Sequence, residues 1–127
     1  MGVKLIKISV VYFSLAVILG LYMSMAQNYS YTGVHAHMNL LGWTSLTLAG
    51  ILYVLFPRAS ETALAKIHFW MHNIGLPLMM GGLFFAISGV SQFLVLIPIG
   101  GTMVVIAVLI FAVNILVNVK QTEYRFR

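Results

Sequence analysis

Cysteine is absent from the chain, and carboxylates are almost absent as well. Without a thiol, the protein can form no disulfide, no thiolate metal site, no cysteine-ligated iron–sulfur cluster and no covalent c-type haem attachment. Asp and Glu together account for only 2 of the 127 residues. A metal ion would therefore have to be held mainly by imidazole, thioether or amide groups.

Charged residues are scarce too. They make up 7% of this sequence, whereas hydrophobic residues make up 61%, and a soluble domain has about 25% charged residues. A chain with so few charges cannot cover a water-facing surface, and several apolar runs approach the ~20 residues that cross a ~30 Å hydrocarbon core. The basic residues form no cluster that could follow a phosphate backbone, which argues against nucleic acid as a partner. The sequence therefore predicts an all-α, polytopic membrane protein whose main surroundings are lipid.

Four apolar runs predict four transmembrane helices in a single domain, residues 1–127. The predicted helices cover roughly residues 8–25, 34–56, 67–88 and 93–119. The first run has an alternative interpretation, because Ser24-Met25-Ala26 is similar to a signal-peptide cleavage site and follows a basic start with Lys4 and Lys7. We predict a retained helix.

The basic residues are placed between the apolar runs in a one-sided pattern. They are Lys4, Lys7, Arg58, Lys66, Lys120, Arg125 and Arg127. All of them fall on one side of the membrane if the chain crosses four times, and the links at residues 27–33 and 89–92 carry no charge. The positive-inside rule then places both termini and the link after Pro57 in the cytoplasm. Within that link, Ser60 is a candidate N-cap for a short interfacial turn that leads to Lys66.

Two histidines open the second apolar run, and an imidazole in hydrocarbon marks a functional site by default. His35 and His37 are two residues apart, so on a helix they point about 200° apart and cannot hold one ion together. They serve two sites on opposite sides of the helix, share a site with a neighbouring subunit, or lie partly hydrated in the headgroup zone. The charge pattern places both near the outer face.

His68 and His72 are four residues apart, which places two imidazoles on one face of a helix. They are a candidate divalent metal site, although two ligands alone do not close one. Asn114 and Asn118 have the same spacing at the same depth on the fourth helix, so we favour a hydrogen-bonded polar cluster. Helical rise puts His37 and His72 roughly 15 Å apart in depth, which predicts two separate sites.

The second helix also carries a family pattern. The stretch His37-Met38-Asn39-Leu40-Leu41, followed by the run from Ala49 to Pro57, resembles the second helix of haem–copper oxidase catalytic subunits. The similarity is to the nitric oxide reductase and C-family branch, where this histidine is an axial ligand of the low-spin haem b. The resemblance implies haem b as the cofactor and His37 as a ligand of its iron. The orientation expected from the charges agrees with that of the family helix.

The resemblance covers the four spans, which correspond to roughly the first third of a family subunit. A full subunit has twelve helices in a pseudo-threefold arrangement, with further histidines for the high-spin haem and the copper. Those helices have no counterpart in this sequence, so the resemblance implies no complete binuclear centre, and oxidoreductase activity stays open.

The pair His35 and His37 forms a His-x-His that is similar to the family's tenth helix, where each histidine serves a different haem. We therefore hypothesise a symmetric homo-oligomer, most simply a trimer, in which His37 of one protomer and His35 of the next ligate one haem b. A dimer could achieve a similar arrangement with fewer sites. The expected function is electron transfer with an unidentified donor, or binding of O2 or NO, in the cytoplasmic (inner) membrane of a bacterium or archaeon. The alternatives are a haem-free assembly or interaction subunit and a divalent metal site at His68 and His72.

Overall fold

The computed structural model describes residues 1–120, and these fold into helices joined by short links. Four of the described helices are long and apolar enough to cross a membrane. They are α1 (Gly2–Ala26), α2 (Thr32–Leu55), α4 (Ala63–Ile87) and α5 (Leu96–Asn118), with a short helix α3 (Pro57–Ser60) between α2 and α4. The described part contains no β-strand. The prediction of an all-α chain with four helices long and apolar enough to span a membrane is confirmed. Of the basic residues on which the predicted topology depends, Arg125 and Arg127 lie outside the described residues.

Three of the helices begin earlier than the apolar runs suggested, α1 and α4 by the most. α1 starts at Gly2 rather than near residue 8, and α4 starts at Ala63 rather than near residue 67. Lys4 and Lys7 therefore lie within α1. Long basic side chains can follow an apolar surface and still keep their charge in water, so a helix can extend past the hydrocarbon core.

The cap of α4 is Thr62 and not Ser60. The Thr62 Oγ1 accepts a hydrogen bond from the Ala65 N–H at 3.0 Å. Ser60 lies at the end of α3, and its hydroxyl donates to the Pro57 carbonyl at 2.8 Å. The predicted cap was wrong because the link contains a short helix of its own, which ends at Ser60 and leaves Thr62 in the extended conformation that a cap requires.

Glycines allow the spanning helices to pack in antiparallel pairs. On α2, a methyl group added to Gly42 would lie 2.5 Å from the Tyr12 ring of α1. On α5, a methyl group added to Gly100 would collide with the backbone carbonyl of Gly75 on α4. Small residues of this kind let helix backbones approach closely within lipid. α1 therefore pairs with α2, and α4 with α5.

The interior is divided between apolar and polar layers. One apolar cluster comprises Val34, Leu76, Met79, Met80 and Val104. A second lies nearer the α2–α3 junction and comprises Leu5, Leu46, Ala49, Tyr53, Phe56, Ala59 and Ala65. The buried polar residues of the described part are Ser9, His68, His72 and Asn114. Three of these four belong to α4 and α5, so the polar interior is concentrated on one helix pair.

α2 changes its winding part-way along its length. Residues Met38–Ser45 form a π-helix between two α-helical segments. A π-turn contains one more residue than an α-turn, and such segments are frequent at functional sites. The Ser45 hydroxyl donates to the Leu40 carbonyl at 2.7 Å, five residues earlier. The segment begins directly after His37, and nothing in the residue spacing predicted it.

Candidate functional site

His37 is exposed near the start of α2, and its two ring nitrogens have different surroundings. Nδ1 is 2.7 Å from the carbonyl oxygen of Gly33, one turn earlier. Because a carbonyl oxygen only accepts hydrogen bonds, Nδ1 carries the proton and Nε2 keeps its lone pair. Histidines that ligate metals have this arrangement, since the bond from the second nitrogen fixes the tautomer and the orientation of the ring.

The His37 side chain lines an apolar groove of about 400 Å³ between α2, α4 and α5. The other lining residues are Leu41, Met79, Gly101, Val104, Val105, Val108 and Leu109. Gly101 keeps the groove wide, because a methyl group there would already touch the Met79 sulfur at 3.4 Å. Apolar walls with one unprotonated imidazole nitrogen fit the requirements of an axially ligated haem. Met79 offers a second atom that can ligate iron.

His35 faces the opposite way, towards α1. Its Nδ1 is 2.9 Å from the Ala16 carbonyl oxygen, and its Nε2 is 3.4 Å from the side-chain amide nitrogen of Asn39. The ring lies over Gly20, where a methyl group would come within 2.9 Å of the imidazole Cε1. Both ring nitrogens are thus directed at the same protomer, and His35 fastens α2 to α1.

The contacts of His35 and His37 agree with the opposed directions that their spacing predicted. They also separate the two residues chemically, since Nε2 of His37 is available to a ligand while both nitrogens of His35 face polar groups. For His35 to reach the iron of a second protomer, its Nε2 would have to leave the Asn39 amide.

His68 and His72 are buried, with exposed fractions of 2% and 1%. Their rings meet edge to face, with centroids 5.5 Å apart. The His68 Nδ1 is 3.2 Å from the Tyr53 hydroxyl, and the His72 Nε2 is 3.0 Å from the Leu41 carbonyl oxygen. The two histidines of α4 therefore bind α2 through different groups, one of which lies in the π-helical segment.

Asn114 organises the polar residues at the other end of this cluster. Its Oδ1 accepts from the Thr62 hydroxyl and from the Asn118 amide, each at 2.9 Å. Its Nδ2 donates to the Ala59 carbonyl at 2.9 Å and to the Tyr53 hydroxyl at 3.4 Å. We predicted hydrogen bonds between these asparagines and the α4 histidines, but Tyr53 stands between them. The predicted polar cluster is present, but Tyr53 links Asn114 to His68 instead of a direct hydrogen bond between them.

His68 and His72 are not joined by a third histidine or a carboxylate in the described part of the chain. No group of three or more His, Cys, Asp or Glu side chains comes together anywhere in residues 1–120. A structural metal ion requires four ligands, and a catalytic one usually has three from the protein. The contacts of both imidazoles with α2 are those of a polar cluster, which is the interpretation that the sequence favoured.

The two histidine pairs are closer in depth than the helical rise suggested. His72 is bonded to Leu41, and Leu41 is one turn from His37, about 6 Å along the α2 axis. The predicted separation of roughly 15 Å was too large, because it placed the start of α4 four residues too late and the start of α2 at Val34 instead of Thr32. His37 and the α4 pair nevertheless line different cavities.

Comparison with protein-family models, with curated proteins and with solved structures finds no match to this chain. The functional assignment therefore depends on the chemistry of the residues and on the resemblance of the second helix.

Sequence reasoning missed Tyr53 and Thr62 as members of the polar cluster. The signal for Tyr53 was available, because a phenol in the middle of an apolar run needs a hydrogen-bond partner. Its partner His68 is on another helix, and only the packing of α2 against α4 brings the two together. The bond between His72 and Leu41 had no signal at all, since it ends on a backbone carbonyl.

Proposed function

We propose that this chain is a multi-pass membrane protein that binds haem b, with His37 as an axial ligand of the iron and electron transfer as its role. One observation carries the proposal: the Nδ1–H of His37 is held by the Gly33 carbonyl, so its Nε2 is free beside an apolar groove. The resemblance of residues 37–41 to haem–copper oxidase subunits supports the same assignment. The haem supplies a one-electron carrier, and the chain supplies its ligand and an apolar surface.

The second axial position separates the functional alternatives. Six-coordinate iron suits electron transfer, whereas an open position allows O2 or NO to bind. Within one protomer, the groove offers Met79. In the homo-oligomer hypothesis, trimeric or dimeric, His35 of the next protomer takes this position and gives up its contact with Asn39.

The proposed location is the cytoplasmic membrane of a bacterium or archaeon, with both termini in the cytoplasm. The described basic residues support a single charged end of the molecule. Lys4 of α1 and Lys66 of α4 line the same surface cleft, next to Trp70. An aromatic ring beside two lysines is typical of a membrane–water interface.

The test is a spectrum of the full chain, expressed with ample haem and purified in detergent. We expect the reduced protein to show the bands of a low-spin b-type haem. Replacing His37 with Ala removes the ligand, so we expect haem content to fall by more than about tenfold, beyond the loss typical of weakened outer-shell support. The matched control is Leu40→Ala, which truncates an exposed residue of α2 that does not line the groove.

The same assay identifies the second ligand. His35→Ala or Met79→Leu should turn the low-spin spectrum high-spin if the altered residue is that ligand, while haem stays bound through His37. A colourless wild-type preparation, or a His37→Ala variant as red as the wild type, would contradict the proposal and favour a haem-free interaction subunit.

A further inference from the structure

The chemistry of the donors and acceptors in the buried polar cluster indicates which atom donates each hydrogen bond between Asn114, Tyr53 and His68. Asn114 Nδ2 is an amide nitrogen, so it donates to the Tyr53 oxygen. The Tyr53 hydroxyl proton is then directed to its other neighbour, Nδ1 of His68. In the neutral imidazole one nitrogen accepts and the other carries the proton. His68 is therefore protonated on Nε2, an atom that no hydrogen bond among residues 1–120 engages.

His72 has the complementary arrangement. Its Nε2 faces the Leu41 carbonyl oxygen, which only accepts, so Nε2 carries the proton. Nδ1 keeps the lone pair, is fully buried, and has no hydrogen-bond partner in the described part of the chain. A buried acceptor without a partner costs about 1–3 kcal/mol. The α4 pair thus presents one unsatisfied donor, on His68, and one unsatisfied acceptor, on His72.

Both imidazoles line a cavity of about 160 Å³ between α2, α4 and α5. The other lining residues are Ser45, Leu48, Ala49, Val108 and Phe111. Cavities lined only by apolar groups stay dry, but a cavity with two to four polar partners holds water, which occupies about 30 Å³ per molecule. Here the partners are the His68 donor, the His72 acceptor and the Ser45 hydroxyl. The cavity has both the volume and the polar groups that bound water requires.

We propose that this cavity is a water-binding site, and that its water joins the polar side chains into one hydrogen-bonded path. The path runs from Thr62 and Asn118 through Asn114, Tyr53 and His68 to the water, and from there to His72 and the Leu41 carbonyl. It begins at the end of the bundle where Lys66 and Lys120 lie and ends one turn from His37.

The path reaches only one end of the molecule. Beyond His72, towards the opposite end of α4, the interior is filled by the apolar cluster of Val34, Leu76, Met79, Met80 and Val104. The hydrogen-bonded path therefore extends from the Lys66 end to the middle of the molecule without crossing it. The water site depends on no cofactor, so it stands or fails independently of the proposed haem function.

The experiment is solid-state NMR of the full chain in lipid bilayers, with ¹⁵N-labelled histidine. We expect His68 and His72 both to carry their proton on Nε2, and magnetisation to pass from water to the His68 Nε2–H. Spectra of single histidine variants assign the signals. A His68 proton on Nδ1, or no transfer from water to His68, would overturn the proposal.

Two pairs of variants test the steps separately. Tyr53→Phe removes the donor to His68, so a second His68 tautomer should appear, whereas Tyr22→Phe changes an exposed tyrosine of α1 and should have no effect. Ser45→Val replaces a cavity hydroxyl and should abolish the water signal at His68. Thr44→Val makes a similar change at an exposed neighbour outside the cavity and should leave the signal intact. Equal signals in the Ser45 and Thr44 variants would contradict the location of the water.

Discussion

Thr62 has three partners that belong to different parts of the fold. It caps α4 through the Ala65 N–H, and its hydroxyl also lies 2.9 Å from Asn114 on α5 and 3.1 Å from the Ala59 carbonyl after α2. One hydroxyl therefore connects α3, the start of α4 and the last part of α5. The sequence can suggest a threonine at this position as a helix cap. Its contacts with Asn114 and Ala59 depend on how the helices pack in the folded molecule.

The Thr62 hydroxyl should contribute measurably to stability. Thr62→Val keeps the shape but removes the cap and the bond to Asn114, so we expect a loss of about 1–2 kcal/mol in the free energy of unfolding. Thr62→Ser restores the hydroxyl and should recover most of that loss. Reversible unfolding in mixed micelles measures both, and a Thr62→Val variant as stable as Thr62→Ser would contradict this role.

His35 and His37 show how far a pair of identical residues can diverge. They are separated by one residue, yet the Nδ1 of His35 contacts the Ala16 carbonyl of α1, whereas the Nδ1 of His37 contacts a backbone carbonyl of its own helix. The deciding neighbours are Ala16 and Gly20, fifteen or more residues earlier in the chain. The spacing predicted opposed directions, but it could not tell which histidine faced a groove and which faced a helix.

At the scale of the helices, the contact between α1 and α2 depends on the space above Gly20. A methyl group at this position would lie 2.9 Å from the His35 ring, which hydrogen bonds hold in place. We expect Gly20→Ala to destabilise the protein by about 1–3 kcal/mol, the usual cost of overpacking. Thermal unfolding in detergent is a suitable measurement.

Gly81 provides the matched control. It is also a glycine inside a spanning helix, but a methyl group there meets no atom within 4 Å. Gly81→Ala should be neutral or stabilising by about 0.5–1 kcal/mol, because alanine has the higher helix propensity. Equal stability of the two variants would show that the His35 contact is unimportant.

The number and character of the spanning helices could be predicted because they follow from composition. Apolar runs of sufficient length leave the chain few alternatives in lipid, where backbone groups must be satisfied within each helix. The π-helical segment at Met38–Ser45 could not be predicted, because an extra residue in one turn leaves the pattern of apolar residues unchanged. The start of α4 was misplaced because Lys66 looked like the end of a link, whereas it lies in the helix.

The candidate site was predictable in part for the same reason. Histidines in an apolar run stand out in any sequence, so all four were identified. Their hydrogen-bond partners could not be identified, since Gly33 and Leu41 contribute backbone carbonyls and Tyr53 comes from another helix. Which nitrogen of each ring is free is decided by these partners, and so is the chemistry that each histidine can perform.

On the scale of the whole molecule, the described lysines gather at one end, and the link residues at the other end are uncharged. The absence of cysteine makes the orientation easy to test, because any introduced thiol is unique. Ser30 lies in the α1–α2 link and Glu61 in the α3–α4 link, and both are exposed, so each can be replaced by cysteine as a labelling site.

We expect a membrane-impermeant maleimide to label the Ser30 variant in intact cells and the Glu61 variant only after the membrane is permeabilised. This outcome follows from the retention of positively charged loops in the cytoplasm. Labelling of both variants in intact cells would contradict the four-span topology, and the reverse pattern would invert the proposed orientation.

The π-helical segment of α2 has a consequence for how this protein can change by mutation. A π-turn holds about one more residue than an α-turn, so loss of one codon within Met38–Ser45 would restore α-helical winding without rotating the two flanking parts of α2 relative to each other. Loss of one codon between Leu46 and Tyr53 would instead rotate them by about 100°, so that His37 would turn away from the α5 groove while Tyr53 kept its place beside His68. Single-residue deletions in α2 should therefore be tolerated mainly within the π-helical segment.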